Sequence, residues 1–119
     1  CILFYGMRTL EEADPEFHPY YEGAMEKRDM AYHQGTVWTF PLGAYYLAYL
    51  KVHAYSERAK QDVKEQLEVL ECALKEGCIG QLPEIYDGKN PVSSKGCFAQ
   101  AWSVGELLRV YEQIEKRKK

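Results

Sequence analysis

The most constraining feature of the sequence is a run from Pro41 to about Ala54 that offers almost no polar face to water. Its apolar side chains are Leu42, Tyr45, Tyr46, Ala48, Tyr49, Leu50 and Val52. A helix that is apolar nearly all round is usually buried, as the inner member of a layered all-α protein would be. The run is therefore predicted to form an inner helix. Its apolar surface is hard to cover with the rest of a 119-residue chain.

Two further helices are predicted after this run. Ser56 is suited to the N-cap of the first, and Gly77 to the position just beyond its end. Its apolar residues recur at steps of three or four, as expected of an amphipathic surface helix: Ala59, Val63, Leu67, Leu70 and Leu74. The second is predicted to begin near Phe98. One apolar stripe on it is formed by Ala101, Val104, Leu108 and Tyr111, with Leu107 and Ile114 beside it.

The order of elements is thus loop, inner helix, outer helix, loop and helix. No apolar run is long enough to indicate a sheet, although short hairpins within the loops stay open as an alternative. Alternating inner and outer helices joined by long loops indicate an all-α fold, and an α/α toroid rather than a bundle.

The candidate catalytic and binding residues lie in the two long irregular stretches, before Pro41 and between residues 78 and 96. The segment from His33 to Trp38 leads into the inner helix, and polar loops above a helix N-terminus often form ligand sites. In the second stretch Glu84 follows Pro83, and apolar neighbours there would partly desolvate its carboxylate, which suits proton transfer. Spacing alone leaves the alternatives open: a solvated Glu84, a structural His33, and a Trp38 that fills the core.

Several other function classes are disfavoured. The formal net charge of -3, from 15 basic and 18 acidic residues, disfavours nucleic acid as a partner. No stretch approaches the roughly 20 apolar residues of a membrane span. The cysteines at positions 1, 72, 78 and 97 form no CxxC pair and have no histidine at zinc spacing. They indicate reduced thiols of a cytoplasmic protein rather than a metal site. A serine nucleophile elbow and a glycine-rich phosphate loop are both missing from the sequence.

Four segments carry a resemblance to a known family. Arg28–Trp38 reads RDMAYHQGTVW, and residues 82–88 read LPEIYDG. Residues 96–104 read GCFAQAWSV, and residues 6–10 read GMRTL. In order and spacing these segments resemble the bacterial and archaeal glycogen debranching enzymes. One departure is Thr39-Phe40-Pro41, because that family usually has proline directly after the position of Trp38.

The resemblance implies an amylo-α-1,6-glucosidase that removes the single glucose left at a branch point of glycogen or a similar α-glucan. It implies a six-hairpin α/α toroid of about a dozen helices, of which residues 1–119 would be a C-terminal fragment. The family cleaves with inversion and without a cofactor. Glu84 matches its general base, whereas the acid is an upstream aspartate that no position here matches. Tyr32, His33, Gln34 and Trp38 would position the glucose.

Two alternatives remain at this point. One is another toroid glycosidase, of the glucoamylase or trehalase type. The other is a carbohydrate-binding or assembly module that keeps the sugar-contacting loops without catalysis. The chain begins at Cys1 inside an apolar run, without an initiator methionine, and we expect it to be part of a longer protein. In isolation it is expected to self-associate through the inner helix and to be inactive.

Overall fold

The computed structural model describes residues 2–3, 5–75 and 79–116. Three longer helices form one side of the molecule: α2 (Pro41–Val52), α3 (Glu57–Ala73) and α4 (Ala101–Lys116). A shorter helix, α1 (Met25–His33), precedes them. Helix α2 packs mainly on α4 and also contacts α3. No helix in the described part of the chain combines the length and the apolar character that a membrane crossing needs.

The core between the helices is aliphatic and follows the predicted stripe on α3. Leu67 and Leu70 of this helix are at most 2% exposed, and Ser56 caps it as predicted, with its hydroxyl accepting a hydrogen bond from the Ala59 N–H at 3.3 Å. The predicted end at Gly77 lies outside the described residues. The cluster consists of Leu42, Tyr46, Leu50, Ala59, Val63, Leu67, Leu70, Ala73, Leu82, Leu107, Val110 and Ile114.

Helix α2 buries one face rather than its whole circumference. Leu42 and Leu50 are fully buried, whereas Tyr45 is 38% and Val52 is 81% exposed. The described residues therefore cover α2 on one side only, in line with the expectation that its apolar surface is hard to cover with a chain of this length. The outer face of α2 remains apolar and open to solvent.

The stripe predicted for α4 is confirmed in part: Val104 and Tyr111 pack against the core, and Leu107 and Ile114 beside them are buried. The buried residues of this helix are Ser103, Leu107, Val110 and Ile114, while Leu108 is 61% exposed. Apolar residues occur on more than one side of α4, so their periodicity does not show which side packs against α2. Packing against α2 determines which of these sides is buried.

The prediction of an all-α fold is confirmed only in part, because the irregular stretches form a five-stranded antiparallel sheet beside the helices. The strands follow chain order: β1 (Ile2–Leu3), β2 (Gly6–Arg8), β3 (Val37–Trp38), β4 (Ile85–Tyr86) and β5 (Ser94–Lys95). Each strand has two or three residues, which is too short for an alternating pattern to be recognised. The fold is therefore mixed: four helices and a small sheet in the described part of the chain.

Candidate functional site

The sheet brings together the two stretches that contain the predicted site residues. Central strand β3 pairs with β4, so that Trp38 lies opposite Ile85 and Val37 opposite Tyr86. Strand β4 pairs in turn with β5, with Ile85 opposite Lys95. Glu84 directly precedes β4, and its N–H donates to the Cys97 carbonyl at 2.8 Å. Segments far apart in the sequence thus meet around Glu84.

The beginning of α4 also holds the segment around Glu84. The Ser103 hydroxyl, fully buried, donates to the Pro83 carbonyl at 3.2 Å. The Gln100 N–H donates to the Leu82 carbonyl at 2.8 Å. The backbone on both sides of Glu84 is therefore fixed by hydrogen bonds to other segments, which limits the movement of its side chain.

The half-buried carboxylate of Glu84 accepts a hydrogen bond on each oxygen. The Tyr32 hydroxyl donates to Oε1, and the Cys97 N–H donates to Oε2 at 2.9 Å. Residue 96 must be glycine for this arrangement, because its φ is 69° and an added Cβ would lie 2.6 Å from Oε2 of Glu84. Each oxygen of the carboxylate therefore has one donor, and the two donors come from different segments of the chain.

Tyr32 keeps its proton under any ordinary condition. Burial raises its pKa to about 12, and the hydrogen bond to Glu84 acts in the same direction. Its ring lies edge-on to Trp38, with centroids 4.8 Å apart, and against Tyr21 at 5.7 Å. Tyr32 is thus a constant hydrogen-bond donor in a packed aromatic environment.

Trp38 is 6% exposed and is surrounded by other rings. Its indole N–H lies 3.1 Å from the Tyr32 carbonyl and 3.2 Å from the Thr36 hydroxyl, and both accept from it. The exposed His33 ring lies nearly parallel to the indole, with the centroids 5.9 Å apart. Phe40 and Trp102 meet it edge-on from other sides. Trp38 therefore holds the neighbouring rings in place.

Gln34 is half-buried and directly follows α1. Its contacts in the described structure are made by its backbone: its N–H donates to the Ala31 carbonyl at 3.2 Å, and its carbonyl accepts from the His18 N–H at 2.6 Å. These bonds connect the end of α1 to the preceding loop and so fix the approach to β3.

A surface cleft of about 610 Å³ opens beside Glu84. It is lined by Tyr21, Glu22, Gly23, Arg28, Glu84, Lys95, Gly96 and Cys97. Of the predicted site residues, Glu84 lines this cleft itself, and Tyr32 reaches it through the hydrogen bond to Glu84. His33, Gln34 and Trp38 belong to the neighbouring segment that runs from α1 into β3 and are not among the residues that line the cleft.

Asp87 is a buried acidic residue that contacts two of the residues that line the cleft. Its side chain accepts from the Tyr21 N–H at 3.0 Å and lies 3.9 Å from the Lys95 ammonium, so it connects two segments that line the cleft. Asp87 is 3% exposed, and this burial raises its pKa. In the sequence it was visible only as a turn residue before Gly88.

Two further residues near the site were missed by the sequence reasoning. Trp102 is 46% exposed and stacks on Phe40 with centroids 4.4 Å apart. Cys97 contributes its backbone N–H to Glu84, and a backbone donor leaves no signal in residue identity. Among the described residues, no group of three or more His, Cys, Asp or Glu could hold a metal ion.

One family of known proteins matches the sequence of this chain. The sequence model of the family described as amylo-alpha-1,6-glucosidase matches residues 2–109. The chain belongs to this family. Neither the curated proteins nor the solved structures give a match to the chain.

The match to the amylo-alpha-1,6-glucosidase family covers the sheet, all of α1, α2 and α3, and the first half of α4. It therefore includes every residue that lines the cleft and every residue that holds Glu84. The family is glycosidase-related, and glycosidases use carboxylates for proton transfer. A carboxylate that accepts two hydrogen bonds at the wall of an open cleft is suited to that chemistry.

Proposed function

We propose that this chain contributes the general base of an inverting amylo-α-1,6-glucosidase, and that Glu84 is that base. The observation that carries the proposal is the carboxylate of Glu84, held by the Tyr32 hydroxyl and the Cys97 N–H at the wall of a cleft. A general base must be ionised and must be able to reach a water molecule. Glu84 combines a carboxylate held by two hydrogen-bond donors with a position at the wall of an open cleft.

In the proposed reaction Glu84 takes a proton from a water whose oxygen bonds to the anomeric carbon of glucose. The bond from that carbon to the α-1,6 oxygen breaks, and an acid protonates the departing oxygen. In inverting enzymes the acid and base are about 6.5–9.5 Å apart, which leaves room for the water. We assign the acid to an aspartate outside this chain, in keeping with the family pattern.

The neighbouring residues are proposed to form the wall that faces the glucose. His33 is the most exposed of the four predicted binding residues and is free to hydrogen-bond to a sugar hydroxyl. Tyr32 and Gln34 lie closer to the interior, and the burial of Trp38 favours an indirect contribution through the orientation of His33 and Tyr32. The proposed substrate is glycogen or a similar branched α-glucan in the cytoplasm.

The open apolar face of α2 is proposed to contact the remaining helices of a six-hairpin toroid. Tyr45 and Val52 are exposed on this helix, and their burial would stabilise an assembly by about 1.5–3 kcal/mol per large side chain. In the isolated chain a second copy would cover the same face. Sedimentation at micromolar concentration tests this: a monomer there would exclude self-association through α2.

The experiment that tests the catalytic proposal is Glu84→Gln in the complete protein. The amide is nearly the same shape as the carboxylate but cannot accept a proton, so we expect release of α-1,6-linked glucose to fall by at least ~10²-fold while substrate binding persists. Glu71→Gln is the matched control, because Glu71 also accepts a tyrosine hydroxyl, from Tyr111 at 2.5 Å on the helical side. Near-normal hydrolysis by Glu84→Gln would refute the assignment.

A further inference from the structure

We infer that Tyr32 is a positioning residue for the base, and that its hydroxyl serves Glu84 rather than the sugar. This inference rests on the proposed function of Glu84. The geometry behind it is the pair of hydrogen bonds to the two oxygens of one carboxylate, from the Tyr32 hydroxyl and from the Cys97 N–H. With one donor on each oxygen, the plane of the carboxylate is fixed by two different segments.

The position of the Tyr32 hydroxyl is itself determined by several contacts. The Tyr32 carbonyl accepts from the indole N–H of Trp38, and the Thr36 hydroxyl donates to the same carbonyl at 2.9 Å. The ring is enclosed by Trp38, Tyr21 and His33 at centroid distances of 4.8, 5.7 and 4.8 Å. Rotation of the hydroxyl away from Glu84 would require movement of these rings, so the hydroxyl is pre-organised as a donor.

A carboxylate has about four lone-pair positions, of which the two donors occupy one on each oxygen. The remaining positions are available to a water in the cleft. Two fixed donors from different segments therefore aim a free lone pair at one place in the cleft. Loss of one donor should lower the rate of proton transfer and leave substrate binding nearly unchanged.

Other charged groups around Glu84 come from each segment packed against it. Arg28 of α1 and Lys95 of β5 line the cleft with positive charge, and Glu22 lines it with negative charge. Tyr21 faces the ring of Tyr32. All four are unchanged in a Tyr32→Phe variant, so a change in kcat in that variant reports the lost hydroxyl.

The test is Tyr32→Phe in the complete enzyme, since phenylalanine keeps the ring and its packing. We expect kcat to fall by about 10- to 100-fold, with KM changed by less than about threefold. Tyr111→Phe removes a tyrosine–glutamate hydrogen bond on the helical side and should change neither quantity.

A second measurement covers the case in which Tyr32→Phe does not fold. Replacement of Tyr32 by a monofluorinated tyrosine keeps the ring and makes the hydroxyl a stronger donor to Glu84, so kcat should change while KM stays within about threefold. An unchanged kcat in both variants would overturn the inference, as would a raised KM with normal kcat, which would assign the hydroxyl to the sugar. If Glu84→Gln is also near-normal, the proposed function fails; if Glu84→Gln is inactive, only the role of Tyr32 fails.

Discussion

The helical side of the molecule and the sheet side are held together in different ways. Between α2, α3 and α4 the contacts are mostly aliphatic, as in the fully buried pair Leu50 and Val110. Around β3 and β4 the contacts are aromatic stacks and directed hydrogen bonds, as between Tyr32 and Glu84 or Trp38 and Tyr32. Backbones there approach so closely that Gly35 and Gly88 leave no room for a side chain.

The difference indicates that the helical side mainly stabilises the fold, whereas the sheet side mainly orients the groups of the cleft. Apolar burial is non-directional and stabilises in proportion to area, so it suits a supporting layer. A catalytic carboxylate needs a fixed direction, which hydrogen bonds and packed rings provide. We therefore expect changes on the helical side to alter stability first, and changes on the sheet side to alter the geometry of the cleft first.

The largest effect on stability is expected from Leu50→Ala. Leu50 is fully buried in the helical core, and a leucine-to-alanine change at such a site costs about 2–5 kcal/mol through lost burial and a residual cavity. In the isolated chain, below the concentration at which it self-associates, Val52→Ala is the control on the same helix, because Val52 is 81% exposed there and its change should stay within about 0.5 kcal/mol. Urea unfolding measures both. Equal effects would mean that the exposed face of α2 is covered in solution.

A smaller loss of stability, together with damage to the cleft, is expected from Gly88→Ala. The added Cβ would lie 1.8 Å from the Gly35 carbonyl oxygen, so one of two backbone segments must move. Overpacking of this kind costs about 1–3 kcal/mol, and here the shift would be passed to Asp87 and the Tyr21 segment.

Gly105→Ala is the matched control for Gly88→Ala. Its Cβ would meet nothing within 4 Å on α4, so alanine should stabilise the helix by about 0.5–1 kcal/mol. Unfolding curves should thus shift in opposite directions for the two glycines. A neutral result for Gly88→Ala would contradict the tight backbone contact.

The smallest effect is a pH dependence expected from Asp87→Asn. Because burial raises the pKa of Asp87 above its ordinary value of 3.8, the folded state holds this proton more tightly than the unfolded chain. The stability from protonation is complete below 3.8 and is lost as pH rises through the raised pKa. Asparagine keeps an oxygen for the Tyr21 N–H and does not titrate.

The free energy of unfolding of the Asp87→Asn variant, minus that of the wild type, should therefore increase as pH rises through this window. Urea unfolding at a series of pH values measures it. A difference that does not change with pH would mean that Lys95 and the Tyr21 N–H fully offset the burial of the carboxylate.

The sequence was informative where one physical signal dominated. The residues from Ala59 to Leu70 follow the helical period, and Ser56 has the chemistry of an N-cap, so α3 was predicted closely. Helix α1 was missed because Ala31 is its one buried residue, which leaves no periodic stripe. The sheet was missed because strands of two or three residues carry no pattern of their own.

The candidate site was predicted from the resemblance of its motifs to those of the family, whereas hydrophobic periodicity gave no information about it. The segments of Tyr32 and Glu84 were predicted to belong together, but the hydrogen bond between their side chains depends on strand pairing that the sequence does not reveal. The exposure of Trp102 and the N–H of Cys97 likewise depend on how distant segments meet. Tertiary contacts decide such features, whereas residue type does not.

The chain order of the sheet has a consequence for synthesis. Strand β3 ends at Trp38 and β4 begins at Ile85, and α2 and α3 lie between them. During translation, Tyr32 is therefore made well before either Glu84 or Cys97, and a chain interrupted before residue 97 lacks one donor to the carboxylate. Closing a long loop also costs more entropy than forming a helical turn. The helices can begin to form as they emerge, whereas the cleft can form only after Cys97 has been made.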